Sequence, residues 1–178
     1  PMSRLANFEK LVHPEWLHRL INGQQVETYR GNGFAVFNVN FGVPEDYENG
    51  HIPGAIHLDT HALESTSSWN RLSDEDLEAA LLAHGITHDK TIVLYGWYSN
   101  PNSPDPHPGR NAGQIAATRA AAILMYAGVA DVRLLDGGFD AWVSAGYEVE
   151  TAGHKPKPVQ TFGAQIPGHP EYIIDLDE

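Results

Sequence analysis

The chain has 178 residues, 42% of them apolar, which is enough to bury one core with extra length at its ends. Its 23 acidic residues against 11 basic ones give a formal charge of −12, which argues against a nucleic-acid surface because phosphate recognition needs clustered Lys and Arg. Cysteine is absent, so disulfides, thiolate catalysis and Cys-ligated metal are excluded within the chain, and no apolar run is long enough for membrane insertion.

The first predicted element is a helix opened by Leu11-Val12-His13-Pro14-Glu15-Trp16-Leu17. Pro14 suits the first helical position, Glu15 complements the positive end of the dipole, and Gly23 terminates the helix. Trp16, Leu17 and Leu20 fall on one face and are expected in the core. Phe34 to Val39 reads as a buried strand, and Pro44 to Tyr47 as a short helical turn.

Gly50-His51-Ile52-Pro53-Gly54 forms a rigid bend, and Ala55 to Leu58 is a short strand. His57, Asp59 and His61 alternate, so on one continuous strand they would share a face as metal ligands do. The strand is expected to end near Asp59 and break that alternation, so no metal is assigned there. Ser73 before Asp74-Glu75-Asp76 is an N-cap with acids in the first turn, and Leu77, Leu81 and Leu82 supply the buried stripe up to Gly85.

The stretch from Thr91 to Trp142 organises the rest. Ile92-Val93-Leu94-Tyr95 is a buried strand that stops at Gly96. A loop rich in Pro, Asn, Ser and Gly follows, and its prolines predict mobility from Trp97 to Gly109. Ile115 to Ala127 has helix composition and is closed by Gly128; Val132 to Leu135 is a further strand, and Gly137-Gly138 leads into a last helix through Trp142. Strand, helix, strand in this order is a parallel crossover unit, with its chemistry expected in the loop at the sheet's carboxyl edge. Beyond Pro156 and Pro158 the chain is expected to run extended, with Phe162, Ile166, Tyr172 and Ile173 buried against this or a neighbouring domain.

Three pieces, GHIPGAIHLD at 50–59, TIVLYG at 91–96 and VRLLDGGFDAW at 132–142, resemble the rhodanese family of sulfurtransferases. Their order is the family's, and the motif positions are Gly50, His51, Pro53, Gly54, Asp136, Gly137, Gly138 and Trp142. Within that family the chain looks like the middle domain of a bacterial three-domain sulfurtransferase. The resemblance implies an α/β fold with a central five-stranded parallel sheet and helices on both faces. It divides the chain into a cysteine-less rhodanese-like domain at 1–154 and a segment at 155–178 that is a linker and the start of a further domain, or an extended tail.

The resemblance also implies thiosulfate or persulfide sulfur transfer, with no cofactor, through a cysteine in a tight loop after the strand aligned with Ile92 to Tyr95. Backbone N–H groups of such a loop favour the thiolate, which is the nucleophile. Here the nucleophile-equivalent position is Gly96, the loop is long, and the family's Asp-x-Arg is replaced by Asn38-Val39-Asn40. The expectation is a non-catalytic domain supporting a downstream cysteine-bearing rhodanese domain of the same protein. Two other readings are a stand-alone module binding protein or a small anion, and a different enzyme using His107 or Arg110. Arg119 is a candidate anion contact or the partner of a surface acid.

Overall fold

The computed structural model describes residues 10–42, 44–65, 72–96 and 112–172. Five strands form one sheet: β1 (Leu11–Val12), β2 (Phe34–Asn40), β3 (Ile56–Asp59), β4 (Thr91–Tyr95) and β5 (Asp131–Leu135). Their order is β1-β5-β4-β2-β3, and every pairing is parallel. The helices between them are α1 (Pro14–Ile21), α2 (Glu45–Glu48), α3 (Asp74–Ala83) and α4 (Ala112–Ala127), and α5 (Gly138–Ser144) follows β5. Among the described residues no helix is long and apolar enough to cross a membrane.

Because successive strand residues face opposite sides, the sheet separates two cores. Phe37, Val39, Ile92, Leu94 and Val132 pack with Leu77 and Leu81 of α3 and with Ala116, Ala120 and Leu124 of α4. Val36, Val93, Tyr95 and Leu135 pack on the other side with Leu17 and Leu20 of α1, Tyr47 of α2, and Phe139 and Trp142 of α5. Near-continuous burial along β2 and β4 is what a sheet covered on both faces requires.

Leu11 and Val12 depart from the sequence expectation. They pair with Leu134 and Leu135 as an edge strand, and the helix begins only at Pro14. Pro14 lacks the N–H that a helix's first turn leaves unbonded, so it marks the start while the two residues before His13 stay extended. At α3 the expected cap is present, with the Ser73 hydroxyl accepting from the Asp76 N–H at 3.2 Å.

The tail packs on this domain as far as the Pro170–Tyr172 turn, which lies against α4. Val159 N–H donates to the Leu82 carbonyl at 2.9 Å, and His88 N–H donates to the Phe162 carbonyl at 3.0 Å. Phe162 is buried in the α3–α4 core, and Ile166 is partly buried against the same core. Tyr172, expected to be buried against this or a neighbouring domain, is 53% exposed on this chain, and Ile173 lies outside the described residues.

Candidate functional site

The connection after β2 leads through α2 to β3 at one sheet edge, while the connection after β4 leads through α4 to β5 in the opposite direction. The two helices also lie on opposite faces, α2 with α1 and α5, α4 with α3. The winding thus reverses between β2 and β4, and open α/β sheets bind ligands outside the carboxyl ends of their strands at such a point.

Both groups of motif residues converge on the end of β4. From the 50–54 bend, Ile52 N–H donates to the Tyr95 hydroxyl at 3.0 Å. From the 136–142 segment, Phe139 N–H donates to the Gly96 carbonyl at 2.9 Å. Gly96 is buried between them. Burial pushes the Tyr95 phenol well above its ordinary value, against the opposing Ile52 N–H and Asn38 side chain, so it stays neutral.

Gly50, His51, Pro53 and Gly54 lie in the bend before β3. Gly54 N–H donates to Glu150 Oε1 at 2.7 Å, and His51 forms an isolated antiparallel bridge with Glu150. Asp136 N–H donates to the Val12 carbonyl at 2.8 Å, tying the turn after β5 to β1. Gly137 and Gly138 both have positive φ, and Trp142 is buried with its indole N–H on the Glu148 carbonyl at 2.7 Å. The contacts to the carboxyl end of β4 thus come from Ile52 and Phe139, neighbours of the motif positions in the two segments.

Asn38 and Asn40 are buried. Asn40 Nδ2 donates to Asn38 Oδ1 at 3.3 Å, and the Asn40 Oδ1 meets His57 Nε2 at 3.0 Å. A neutral amide–amide–imidazole chain thus runs where the family resemblance implies a charged pair. Burial lowers the His57 pKa below its ordinary value, despite nearby Asp59 and Glu48, which fits its place in a neutral chain.

The other sequence candidates fall as follows. His61 does not continue β3: Asp59 accepts the His61 backbone N–H at 2.9 Å and starts a 3₁₀ turn at Thr60–Ala62. His57 and His61 are accordingly engaged with different partners. Arg119 Nε donates to Glu64, a carboxylate buried to 4% exposure, so its guanidinium ties α4 to the segment after β3. Arg119 also lines a broad surface depression of about 490 Å³ with Gln114, Ile115, Thr118 and Ala122. The Trp97–Gly109 loop, His107 and Arg110 lie outside the described residues.

Two groupings were not visible in the sequence. The link from Asn40 to His57 depends on the β2–β3 register, in which Asn38 pairs with His57. The second, His51 with Glu150 and His154, depends on a bridge between segments far apart in the chain. Its only local signal is the i, i+4 spacing of Glu150 and His154.

The rhodanese-like domain family matches residues 13–106. Thiosulfate sulfurtransferase YnjE of Escherichia coli is 40% identical over 178 residues, covering 99% of this chain but 38% of YnjE. The wild-type structure of EanB superposes with a TM-score of 0.89 at 44% identity, covering 99% of this chain and 41% of EanB. Other solved forms of EanB include complexes with hercynine and with ergothioneine, and a cysteine persulfide. The chain therefore spans about two fifths of the length of these relatives. Its five-stranded parallel sheet, its ordered motifs and these matches make it a member of the rhodanese-like domain family.

Proposed function

We propose that this chain is a non-catalytic rhodanese domain of a tandem thiosulfate or persulfide sulfurtransferase, supporting a cysteine-bearing domain downstream. The observation that carries the reading is Gly96, buried at the carboxyl end of β4 in a chain without cysteine. Sulfur transfer by double displacement needs a nucleophile to hold the sulfur between half-reactions, and a hydrogen atom holds nothing. The greater length of YnjE and EanB supports a multidomain setting.

In this reading residues 1–154 are the domain proper, and 155–178 are a linker and the start of a further domain, or an extended tail, whose Phe162 packs back on this domain. Gly50, His51, Pro53, Gly54, Asp136, Gly137, Gly138 and Trp142 hold the scaffold, and Arg119 is the candidate anion contact. The test is sulfur transfer from thiosulfate to cyanide by the chain joined to its downstream sequence, with and without residues 1–160. Loss of activity with the downstream cysteine intact is the expected result. Unchanged activity and stability of the downstream part would remove the supporting role and favour the reading as a stand-alone binding module.

A further inference from the structure

We propose that His51, Glu150 and His154 form a binding site for a late first-row divalent cation, zinc foremost, that fastens the 50–54 bend to the segment after α5. The site is separate from Gly96 and does not depend on the sulfur-transfer reading.

His51 is fully buried, and its ring lies flat on Tyr47, with centroids 3.8 Å apart and planes 6° from parallel. Its Nδ1 sits 2.9 Å from the Tyr47 carbonyl oxygen. A carbonyl only accepts, so Nδ1 carries the ring proton and Nε2 is left with a lone pair in the neutral imidazole. That Nε2 is buried and has no hydrogen-bond partner, and it faces Glu150 Oε1 at 3.4 Å. A lone pair aimed at a carboxylate calls for a cation between them. The backbone carbonyl that fixes the Nδ1 tautomer is the outer partner that metal-binding histidines use.

The other two ligands are held just as firmly at their roots. His51 and Glu150 exchange both backbone hydrogen bonds, at 2.9 and 3.0 Å. Gly54 N–H donates to Glu150 Oε1 at 2.7 Å, the same oxygen that faces both histidines, so the ligand atom is itself held in place and keeps a lone pair for an ion. His154 N–H donates to the Tyr47 hydroxyl at 2.9 Å, and its Nε2 reaches Glu150 Oε1 at 2.5 Å.

The His51–Glu150 spacing already fits tetrahedral coordination. Ligands about 2.0–2.1 Å from zinc stand roughly 3.3 Å from one another, and the His51–Glu150 separation is 3.4 Å. All three ligand atoms lie within 4.8 Å of one another. The His154–Glu150 pair must open by less than about 1 Å to reach tetrahedral spacing, and the His154 side chain, 42% exposed, has room to do so. Two imidazoles and a carboxylate suit zinc and copper(II) better than magnesium or calcium, which prefer all-oxygen shells. A water would complete the shell.

The test is equilibrium dialysis of the metal-stripped, untagged chain against zinc chloride, with Co²⁺ absorption as the geometric readout. One ion per chain is expected, with the visible bands of four-coordinate Co²⁺. His154→Ala and Glu150→Gln should each weaken binding by about tenfold or more, while His169→Ala, at an exposed histidine paired with Glu171, should leave it unchanged. Both site variants alter partly exposed side chains, and circular dichroism checks that they fold. No binding at micromolar zinc would mean that the cation between His51 and Glu150 is a proton. Binding that survives both site variants would place the ion on other surface histidines. Either result overturns the proposal.

Discussion

The Phe139 backbone N–H donates to the Gly96 carbonyl oxygen across 2.9 Å, fastening the first turn of α5 to the end of β4. The approach is possible because the residue before it is glycine. A Cβ on Gly138 would stand 2.4 Å from that same carbonyl oxygen and 3.0 Å from Gln114 Oε1, on a backbone with φ of +60°. Gly138→Ala is therefore expected to cost about 2–3 kcal/mol, from the clash and the left-handed backbone together. Gly146 has a similar φ of +81° but nothing within 4 Å of its Cβ position, so Gly146→Ala should cost only about 1 kcal/mol. Urea denaturation midpoints of the two variants separate close approach from backbone strain.

A cysteine at position 96 tests the non-catalytic reading from the other side. The natural chain, lacking any thiol, should form no persulfide with thiosulfate. Gly96→Cys should yield a thiol without family-like turnover, because a nucleophile also needs converging N–H donors to favour the thiolate. Removing residues 98–110 along with Gly96→Cys is the sharper variant, since it shortens the loop that follows. Mass spectrometry for the persulfide and a cyanide-coupled assay provide the readout; full activity from the single substitution would show that the loop is no obstacle.

Asp131 gives the fold an acid limit. Thr91 donates its hydroxyl to Asp131 at 2.6 Å, and Arg133 Nε donates to it at 2.9 Å. Arg133 is held in turn by the Thr28 hydroxyl at 2.6 Å and lies over the Trp16 ring at 4.7 Å. Burial raises the Asp131 carboxyl, but Arg133 and Thr91 outweigh it and hold it below the ordinary value of 3.8. Below that value the unfolded chain takes up a proton that the folded chain refuses, so folding stability falls with pH. The contribution is fully present above the unfolded value and is lost as pH drops through the lower, folded one. Asp131→Asn should flatten that part of the stability profile and cost about 3 kcal/mol at neutral pH by stranding Arg133. Denaturant titrations across the acid range measure both effects.

His57 makes a separate contribution at higher pH. Its folded pKa is lowered from 6.5, mainly by burial. As pH falls from 6.5 toward the folded value, the unfolded state binds a proton before the folded state does, so stability declines in that window. His57→Gln should remove this dependence while leaving the Asp131 limb intact, because an amide can still donate to Asn40. The two windows are resolved by the same titrations, and the imidazole resonances of His57 give its folded pKa by NMR.

The elements legible in the sequence were those with one local cause. Ile92 to Tyr95 announced a strand because apolar β-branched residues stop abruptly at a glycine, and Ser73 and Pro14 announced helix starts because their chemistry is tied to those positions. Leu11 and Val12 were misread because two residues carry no periodicity, and their pairing partners, Leu134 and Leu135, come late in the chain. The site followed the same division. Gly96 was legible by its place after β4, whereas the Glu64 partner of Arg119, the Asn40–His57 link and the Glu150 facing His51 exist only through tertiary register.

The tail offers the last prediction, because two views of it give different energies. If residues past 155 were only a linker, changing one of them would leave the domain's stability alone. Phe162 is instead 1% exposed within the core shared by α3 and α4, and His88 N–H donates to its carbonyl. Farther along, Gly168 N–H donates to the carbonyls of Tyr126 and Ala127 at 3.1 and 3.0 Å, at the end of α4. Phe162→Ala is therefore expected to cost about 3–5 kcal/mol, the loss of a buried ring plus the cavity left behind. Tyr172→Ala, at a site 53% exposed, should stay within about 0.5 kcal/mol. Urea unfolding of both variants decides it: a neutral Phe162→Ala would show that the segment belongs to a neighbouring unit, and a large loss would move the functional boundary of this domain past Phe162.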